Sequence, residues 1–125
     1  MAETGLSLHL PWPPSINHYW RRVGAKTLNS REGRRFREEV VAKISQRKVR
    51  AISGPVRVHI LACRPDKRRR DIDNILKSLL DALGHAGVYE DDSQIWKLSV
   101  EWTRGFNGQL STVPGGWVEI TIKEM

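Results

Sequence analysis

The order of hydrophobic and polar positions predicts an alternation of strands and helices along the chain. Apolar and polar residues alternate with a period of two in residues 5–10, as in a strand that buries one face. Three prolines in residues 11–14 end that strand, because proline removes a backbone donor. Further strands are predicted at residues 56–63, 95–103 and 117–122, with a shorter one near residues 26–28.

Two segments have the spacing of helices with one buried face. Ser30 is a favoured N-cap residue, and a helix is predicted over residues 30–50. Its apolar face consists of Phe36, Val40, Val41 and Ile44. Apolar residues also recur at helical spacing in residues 72–83, with Gly87 as the C-terminal stop. The order β-α-β-α-β-β predicts a single α/β (α+β) domain over residues 1–125, with a mixed β-sheet and two main helices packed on it.

The composition is that of a folded, basic protein. The chain has 125 residues, of which 39% are hydrophobic and 28% are charged, which is typical of a globular domain. No apolar stretch is long enough to span a bilayer, and residues 1–10 lack the pattern of a signal peptide. Cys63 is the single cysteine, which excludes an internal disulfide and favours a reducing cytoplasm. The net charge of +7 favours a polyanionic partner such as nucleic acid.

The charges are distributed unevenly along the chain. Residues 21–50 contain eleven Lys and Arg against three Glu, and residues 64–70 contain five against one Asp. Residues 71–92 reverse this balance, with six Asp and Glu against the single Lys77. Basic residues that hold phosphates, beside carboxylates that hold a cation, are the combination that a metal-dependent nuclease needs. The alternative is a basic nucleic-acid-binding protein whose acidic residues only cap a helix.

Asp71 and Asp73 are the first candidate pair of metal ligands. In a regular helix, residues two positions apart point about 200° away from each other and could not share a ligand. In an extended chain they point to the same side. The two carboxylates therefore converge if Asp71 precedes the helix and Asp73 lies in its first turn, with Lys77 one turn further on the same side. Helix capping explains one of these aspartates but not the pair.

A second acidic group, residues 90–92, follows the predicted turn at Gly87. If a neighbouring strand runs beside the helix, this group approaches the start of the helix. Carboxylates suit a hard cation such as Mg²⁺, which is held by a few carboxylates, waters and substrate phosphate oxygens. The four histidines are scattered, so nothing in their spacing favours zinc.

The residues of the basic loop and of the acidic groups resemble those of a known family. Residues 66–77, with the sequence DKRRRDIDNILK, are similar to the signature of RusA-type Holliday junction resolvases. The similarity continues through residues 81–83, 86–88 and 91–94, and it includes the opening at residues 10–15 with Asn17 and the helix start at residues 30–41. It extends over essentially the whole chain. The combined D-x-D-N…K…DD pattern is far more specific than any of its parts.

The resemblance implies a homodimer that binds four-way junction DNA and cuts it by paired symmetric nicks. The implied cofactor is Mg²⁺, with Mn²⁺ as a substitute. Carried over by position, Asp71, Asp73 and Asp92 match the metal-binding aspartates, and Lys77 matches the catalytic lysine. Asp91 is the alternative to Asp92 as the third metal ligand. Because neighbouring residues on a strand point to opposite faces, only one of the two is expected to reach the metal, and Asp92 is ranked first.

Basic and aromatic residues are candidates for contact with DNA. The basic residues that directly precede the aspartates, which are Lys67, Arg68, Arg69 and Arg70, are expected to contact phosphates. Trp96, Trp102 and Trp117 lie on predicted strands and are expected in the core. Trp12, Tyr19 and Trp20 lie near loops, where stacking on unpaired bases is the less favoured of two interpretations and packing is the other.

Two alternatives to a junction resolvase remain at this point. A branched-DNA binding module without cleavage gains nothing from acids beside phosphates, so the intact Asp71, Asp73, Lys77 and Asp92 argue against it. A broader nuclease for flaps or replication forks has no feature in these residues that separates it from a resolvase. In either case the sequence predicts a cytoplasmic protein of bacterial or phage origin.

Overall fold

A computed structural model describes residues 5–47, 50–105 and 107–125 of the chain. The strands are β1 (Gly5–Pro11), β2 (Trp20–Val23), β3 (Lys26–Asn29), β4 (Val56–Cys63), β5 (Ile95–Trp102) and β6 (Trp117–Glu124). The helices are α1 (Ile16–Tyr19), α2 (Arg31–Arg47) and α3 (Leu76–His85), with 3-10 helices at Ile72–Ile75 and Asp92–Gln94. None of the helices in the described residues is long and apolar enough to cross a membrane.

The main sheet is mixed, and its strand order places the candidate residues in one connection. Its four strands lie in the order β1-β6-β4-β5, while β2 and β3 form a separate hairpin. β6 is antiparallel to β1 and β4, whereas β5 is parallel to β4. The predicted fold class is therefore confirmed. A parallel pair requires a long crossover, and here that crossover contains α3, the basic loop and both acidic groups.

The hydrophobic core lies between the sheet and the two long helices. Alternate strand residues face the helices and are buried, among them Leu8, Leu10, Val58, Ile60, Ile120 and Ile122. The predicted apolar face of α2 is confirmed, since Phe36, Val40 and Ile44 are buried, while Val41 at its margin is half-buried. The opposite face of the sheet carries polar residues such as His59 and Ser99.

The predicted ends of the two helices differ in detail from the structure. The hydroxyl of Ser30 accepts a hydrogen bond from the Gly33 N–H at 2.9 Å, which confirms Ser30 as the cap of α2. α2 is described as far as Arg47, and Arg50, its predicted end, is not helical. Lys48 and Val49 lie outside the described residues. The second predicted helix begins as a 3-10 turn before α3. It stops where predicted, at Gly87, whose φ of 84° favours glycine.

Gly33 allows α2 to approach α1 closely. A Cβ atom at this position would overlap the carbonyl oxygen of Tyr19 and would lie 3.2 Å from the Tyr19 ring. The contact is with backbone, which cannot give way without moving α1. A side chain here would therefore separate the two helices.

Replacement of Gly33 by alanine should destabilise the fold by about 1–3 kcal/mol, the usual cost of overpacking, although alanine favours helix elsewhere. Urea denaturation measures the free energy of unfolding. Ser45→Ala, at an exposed position of the same helix, is the matched control and should be close to neutral. An equally stable Gly33→Ala protein would contradict this account of the α1–α2 contact.

Candidate active site

The basic loop after β4 is shaped by one aspartate. Asp66 Oδ1 accepts hydrogen bonds from the Arg70 guanidinium at 2.7 Å and from the Arg68 N–H at 2.9 Å. Its Oδ2 forms an ion pair with Arg68 at 3.1 Å. The hydrogen bond from Arg70, followed by those from Arg68, lowers the pKa of Asp66 well below its usual range. Asp66 therefore fixes the directions of Arg68 and Arg70, while Lys67 and Arg69 are exposed to solvent.

The loop borders a groove on the surface of the protein. This groove has a volume of about 560 Å³ and is lined by residues of the proline turn, the first half of α2 and the basic loop. Its charged lining residues are Arg35, Arg68 and Arg70, together with the acids Glu32 and Glu39. Of the predicted DNA-binding residues, the structure thus brings Arg68 and Arg70 to this groove. Their contact with DNA remains a prediction.

Asp71 and Asp73 have the local backbone that the sequence predicted for convergence. Asp71 is in the extended conformation, with φ −80° and ψ 131°, directly before the 3-10 helix, and Asp73 lies in the first turn of that helix. The Asp71 carboxylate makes no capping hydrogen bond. Both side chains are exposed. Capping, the alternative explanation for an aspartate at this position, therefore does not account for Asp71.

A polar cluster anchors α3 to the two helices that precede it. The Tyr19 hydroxyl of α1 donates a hydrogen bond to Asp81 of α3. The Arg37 guanidinium of α2 donates to the same carboxylate oxygen at 2.7 Å and to the Tyr19 hydroxyl oxygen at 2.8 Å. The sequence analysis missed this cluster. One signal for Asp81 was available in the sequence. Asp81 lies four residues after Lys77 and eight after Asp73, which places the three side chains on the same side of a helix.

The cluster changes the ionisation of its members. Burial, together with the hydrogen bond to Asp81, raises the pKa of Tyr19 to about 12. Burial alone would raise the pKa of Asp81, but hydrogen bonds from Tyr19 and Arg37 and the nearby charges of Arg37 and Lys77 lower it overall. Lys77 is therefore close enough to interact with Asp81, on the exposed side of α3.

The second acidic group is held by Gln94. The Oε1 atom of Gln94 accepts hydrogen bonds from the N–H groups of Glu90 and Asp91 at 2.7 and 2.9 Å. Its Nε2 atom donates to the carbonyl oxygens of Ile52 and Gly54 at 2.8 and 2.9 Å. One side chain thus fixes the acidic loop against the segment that precedes β4. Gln94 belongs to the segment that resembles the family, but its residue type and position alone predicted no role for it.

Asp91 and Asp92 lie in a turn and not on a strand, so the strand argument used to separate them was wrong in its premise. Asp91 is the N-cap of the second 3-10 helix, where its carboxylate accepts hydrogen bonds from the N–H and hydroxyl of Ser93. These bonds lower the pKa of Asp91. Asp92 begins the helix. The capping role of Asp91 favours Asp92 as the ligand, and their ranking remains a prediction.

Asp92 and Asp81 line the same groove, beside α3. This groove has a volume of about 300 Å³ and is also lined by Arg37, Tyr89 and Asp91. Burial raises the pKa of Tyr89, and the negative charges of Asp92, Asp81 and Asp91 add to this effect. These three carboxylates therefore share one electrostatic environment around the Tyr89 ring.

The candidate ligands suit Mg²⁺ by their chemistry but do not form a closed cage. Within residues 5–47, 50–105 and 107–125, no three His, Cys, Asp or Glu side chains lie close enough together to hold a metal ion by themselves. Mg²⁺ usually keeps several waters and is bound by one or two carboxylates together with substrate phosphates. An exposed pair, Asp71 and Asp73, next to a basic loop fits that mode of binding.

The aromatic residues differ from several expectations. Trp96 is 71% exposed, so its assignment to the core was wrong. It lies on the edge strand β5 at a shift of register, where Ile95 pairs with Val56 and Lys97 pairs with Arg57. Trp102 and Trp117 are half-buried, and Trp102 stacks on Trp12 with ring centroids 6.0 Å apart. Tyr19 is fully buried. It is therefore unavailable for stacking on bases, and packing was the correct interpretation.

The fold and the site together are typical of a small nuclease, in which a loop that suits phosphates leads directly into paired carboxylates. Comparison with known families gives the same class: the model of the family described as "Endodeoxyribonuclease RusA" matches residues 11–123. The chain belongs to this family, and the resemblance identified from its motifs is confirmed.

Individual relatives are similar over nearly their full length. The crossover junction endodeoxyribonuclease of Enterobacteria phage HK97 is 44% identical over 117 residues, covering 93% of this chain and 92% of the relative. The protein of the same name from Escherichia coli K12 is 38% identical over 120 residues, covering 95% and 94%. That of Enterobacteria phage 82 is 38% identical over 118 residues. The prediction of an endodeoxyribonuclease is therefore confirmed.

The Tyr19–Arg37–Asp81 cluster should make stability depend on alkaline pH. Because folding raises the pKa of Tyr19 from 10.0 to about 12, its stabilisation is present below pH 10 and is lost as pH rises through 12. Tyr19→Phe should cost about 1–3 kcal/mol at neutral pH. The difference in unfolding free energy between the wild type and Tyr19→Phe, measured in urea, should shrink between pH 10 and 12. A difference independent of pH would show that the hydroxyl is not held as described.

Proposed function

We propose that this chain is a Mg²⁺-dependent, structure-specific endodeoxyribonuclease that resolves Holliday junctions by paired symmetric nicks. It acts as a homodimer in DNA recombination and repair. Its place of action is the bacterial cytoplasm, whether its gene belongs to the bacterium or to a phage. The observation that carries this proposal is the similarity over more than nine-tenths of the chain to crossover junction endodeoxyribonucleases of bacteria and phages. A likeness of this extent covers the basic loop, both acidic groups and the sheet that holds them.

The metal is assigned to Asp71 and Asp73, with Asp92 as the third ligand. Since no three acidic side chains of the described residues lie within reach of one ion, the loop of Asp92 has to move toward the pair when the metal and the DNA bind. Asp71 and Asp73 flank the start of a 3-10 helix, and Asp92 begins the other 3-10 helix of the same crossover. The role of Gln94 is to hold the loop of Asp92 in place through four hydrogen bonds. When bound, Mg²⁺ supplies Lewis-acid stabilisation of charge on the phosphate oxygens and makes a water more acidic.

Lys77 is assigned to charge stabilisation. It is exposed, it lies one turn after Asp73, and its positive charge already acts on Asp81. An ammonium group at this position stabilises negative charge that develops on the phosphate or on the leaving oxygen. The fixed Asp81, anchored by Arg37, keeps the helix that carries Lys77 in place.

The basic loop is assigned to binding of the DNA backbone. Arg68 and Arg70 are held by Asp66 and line the larger groove, while Lys67 and Arg69 extend into solvent. Since phosphate contacts position a nucleic acid without reading its sequence, the loop places a strand beside Asp71. This supports recognition of DNA structure as the basis of specificity.

Asparagine at Asp71, Asp73 or Asp92 should abolish cleavage of a four-way junction and preserve or strengthen junction binding. Each change deletes a ligand while it removes a negative charge that repels phosphates. Cleavage is measured on labelled four-way junction, fork and linear duplex, each with Mg²⁺ or with EDTA. Binding is measured by the shift in gel mobility of the same DNA. The same panel separates a resolvase from a flap or fork nuclease.

Glu90→Gln is the matched control for these variants, because Glu90 is an exposed acid of the same loop and no ligand role is assigned to it. It should cleave at close to the wild-type rate. If any of the three asparagine variants also cleaves at the wild-type rate with Mg²⁺, that aspartate is not a ligand. If the Asp91→Asn variant is inactive and Asp92→Asn is active, the two roles are exchanged.

Removal of Lys67 and Arg69 should weaken junction binding and its salt dependence. Each lost phosphate contact lowers the slope of log affinity against log salt by about 0.9, so the double alanine variant should lose up to about two slope units. Lys43→Ala with Arg47→Ala is the control, since both residues are exposed on α2 away from the basic loop. Equal slopes for the wild type and the loop variant would place the loop away from DNA.

A further inference from the structure

The strand β5 forms one edge of the main sheet, and its outer side is open. Among the described residues, β5 pairs with β4 and with no other strand of the sheet. It is also poorly covered, since Trp96 is 71% exposed and Leu98 is 41% exposed. This edge strand of eight residues therefore presents unpaired backbone groups and exposed apolar side chains, a combination that favours pairing with another chain.

The backbone groups at this open edge can be assigned from the register. The Thr103 N–H donates to the Ala62 carbonyl of the neighbouring chain segment at 2.9 Å. In a parallel ladder, alternate residues direct their N–H and C=O groups to the same neighbour. Glu101 and Ser99 therefore also face β4. Leu98 and Val100 direct their backbone groups to the open edge.

The residue types of β5 are symmetric around Ser99, although the register against β4 shifts at Trp96. Lys97 and Glu101, two residues before and after Ser99 on its face of the strand, have opposite charges, and both are exposed. Within the chain, Glu101 also lies 3.2 Å from His59 Nε2. Leu98 and Val100, the immediate neighbours of Ser99, are both aliphatic. The flanking positions on either side, three residues from Ser99, are both tryptophan. The order of residue types along β5 is therefore the same in both directions, except that the positive and negative charges are exchanged.

We propose that β5 pairs antiparallel with β5 of a second copy of this chain, around a two-fold axis at Ser99. Leu98 then faces Val100 of the other copy, and these residues are the ones whose backbone groups point outward. Lys97 faces Glu101 of the other copy twice, once on each side of the axis. Opposite charges across an antiparallel pair stabilise it, and like charges destabilise it. This charge complementarity favours a second copy over an unrelated strand.

The proposed pairing rests on the homodimer of the proposed function and gives it an interface. A two-fold axis perpendicular to a sheet keeps the helices of both copies on the same face. β5 packs beside the 3-10 helix that follows Asp71. Two such helices, one from each copy, would therefore flank the axis on one face. This arrangement suits a substrate that is cut at two symmetric positions.

A cysteine at position 99 tests the interface directly. Residues that face each other without hydrogen bonds in an antiparallel pair have Cα atoms about 4.5 Å apart, which is within the range of a disulfide. Ser99→Cys should form a covalent dimer under mild oxidation, seen on non-reducing gels. Ser7→Cys is the matched control, because Ser7 is an exposed serine of β1, at the opposite edge of the same sheet. The native Cys63 is buried.

Charge exchange tests the same interface without a crosslink. Lys97→Glu alone and Glu101→Lys alone place like charges opposite each other at two symmetric positions. Each should weaken the dimer about tenfold or more by sedimentation analysis. The double variant should restore it, and a mixture of the two single variants should form heterodimers. Glu119→Lys, on β6 and away from the edge, should dimerise like the wild type.

The outcomes separate this interface from the homodimer itself. The β5 interface would be overturned if the wild type is a dimer but Ser99→Cys does not crosslink and the charge exchanges do not change the dimer affinity. The homodimer itself would still be supported by that result. Crosslinking by Ser7→Cys instead would place the interface at β1. A monomer that still makes paired nicks would reject both the interface and the homodimer. Crosslinking at Ser99 with rescue by the double variant supports the proposal.

Discussion

The carboxylate of Asp81 is the point on which the arrangement of the candidate active site depends. It accepts hydrogen bonds from Tyr19 of α1 and Arg37 of α2, while it belongs to α3. The side chains of Arg37 and Asp81 are partly buried, and such a pair favours one arrangement of the helices, because other arrangements leave a charge without its partner. The helix that they fix is the one that follows Asp71 and Asp73 and carries Lys77.

Three of the seven acids in the crossover between β4 and β5 are held by contacts of their own side chains. Asp66 is held by Arg68 and Arg70, Asp81 by Arg37, and Asp91 by Ser93. Each of these fixes a segment of backbone or a helix. Asp71 and Asp73 are exposed, and among the described residues they have no such ion pair or side-chain hydrogen bond. Two carboxylates without a protein partner in this part of the chain are free to bind a cation, and the adjacent basic loop favours a phosphate beside that cation.

The sequence predicted those features of the structure that follow from a local rule. It did not predict contacts between segments that are distant in the chain. The alternating period of Val56–Cys63 predicted β4 with its bounds, and the D-x-D spacing predicted the change from extended chain to helix at Asp71. The contact of Tyr19 with Asp81, 62 residues away, has no local signature. Trp96 was misplaced because the pattern of a strand does not reveal whether that strand lies at an edge. The turn at Asp91 was missed although it has a local signature, since Asp91 and Gln94 have the D-x-x-Q spacing of a capping box. Only the bonds from Gln94 to Ile52 and Gly54 depend on a distant segment.

In the proposed homodimer, each chain contributes one site, and each site cuts one strand of a junction. The most direct measurement uses a dimer with one wild-type chain and one tagged Asp73→Asn chain, purified by the tag, on a four-way junction labelled on each strand in turn. A single nick per junction, with resolution left incomplete, is the predicted result. Paired nicks made by this mixed dimer at the wild-type rate would contradict the account, because one intact site would then be sufficient for both cuts.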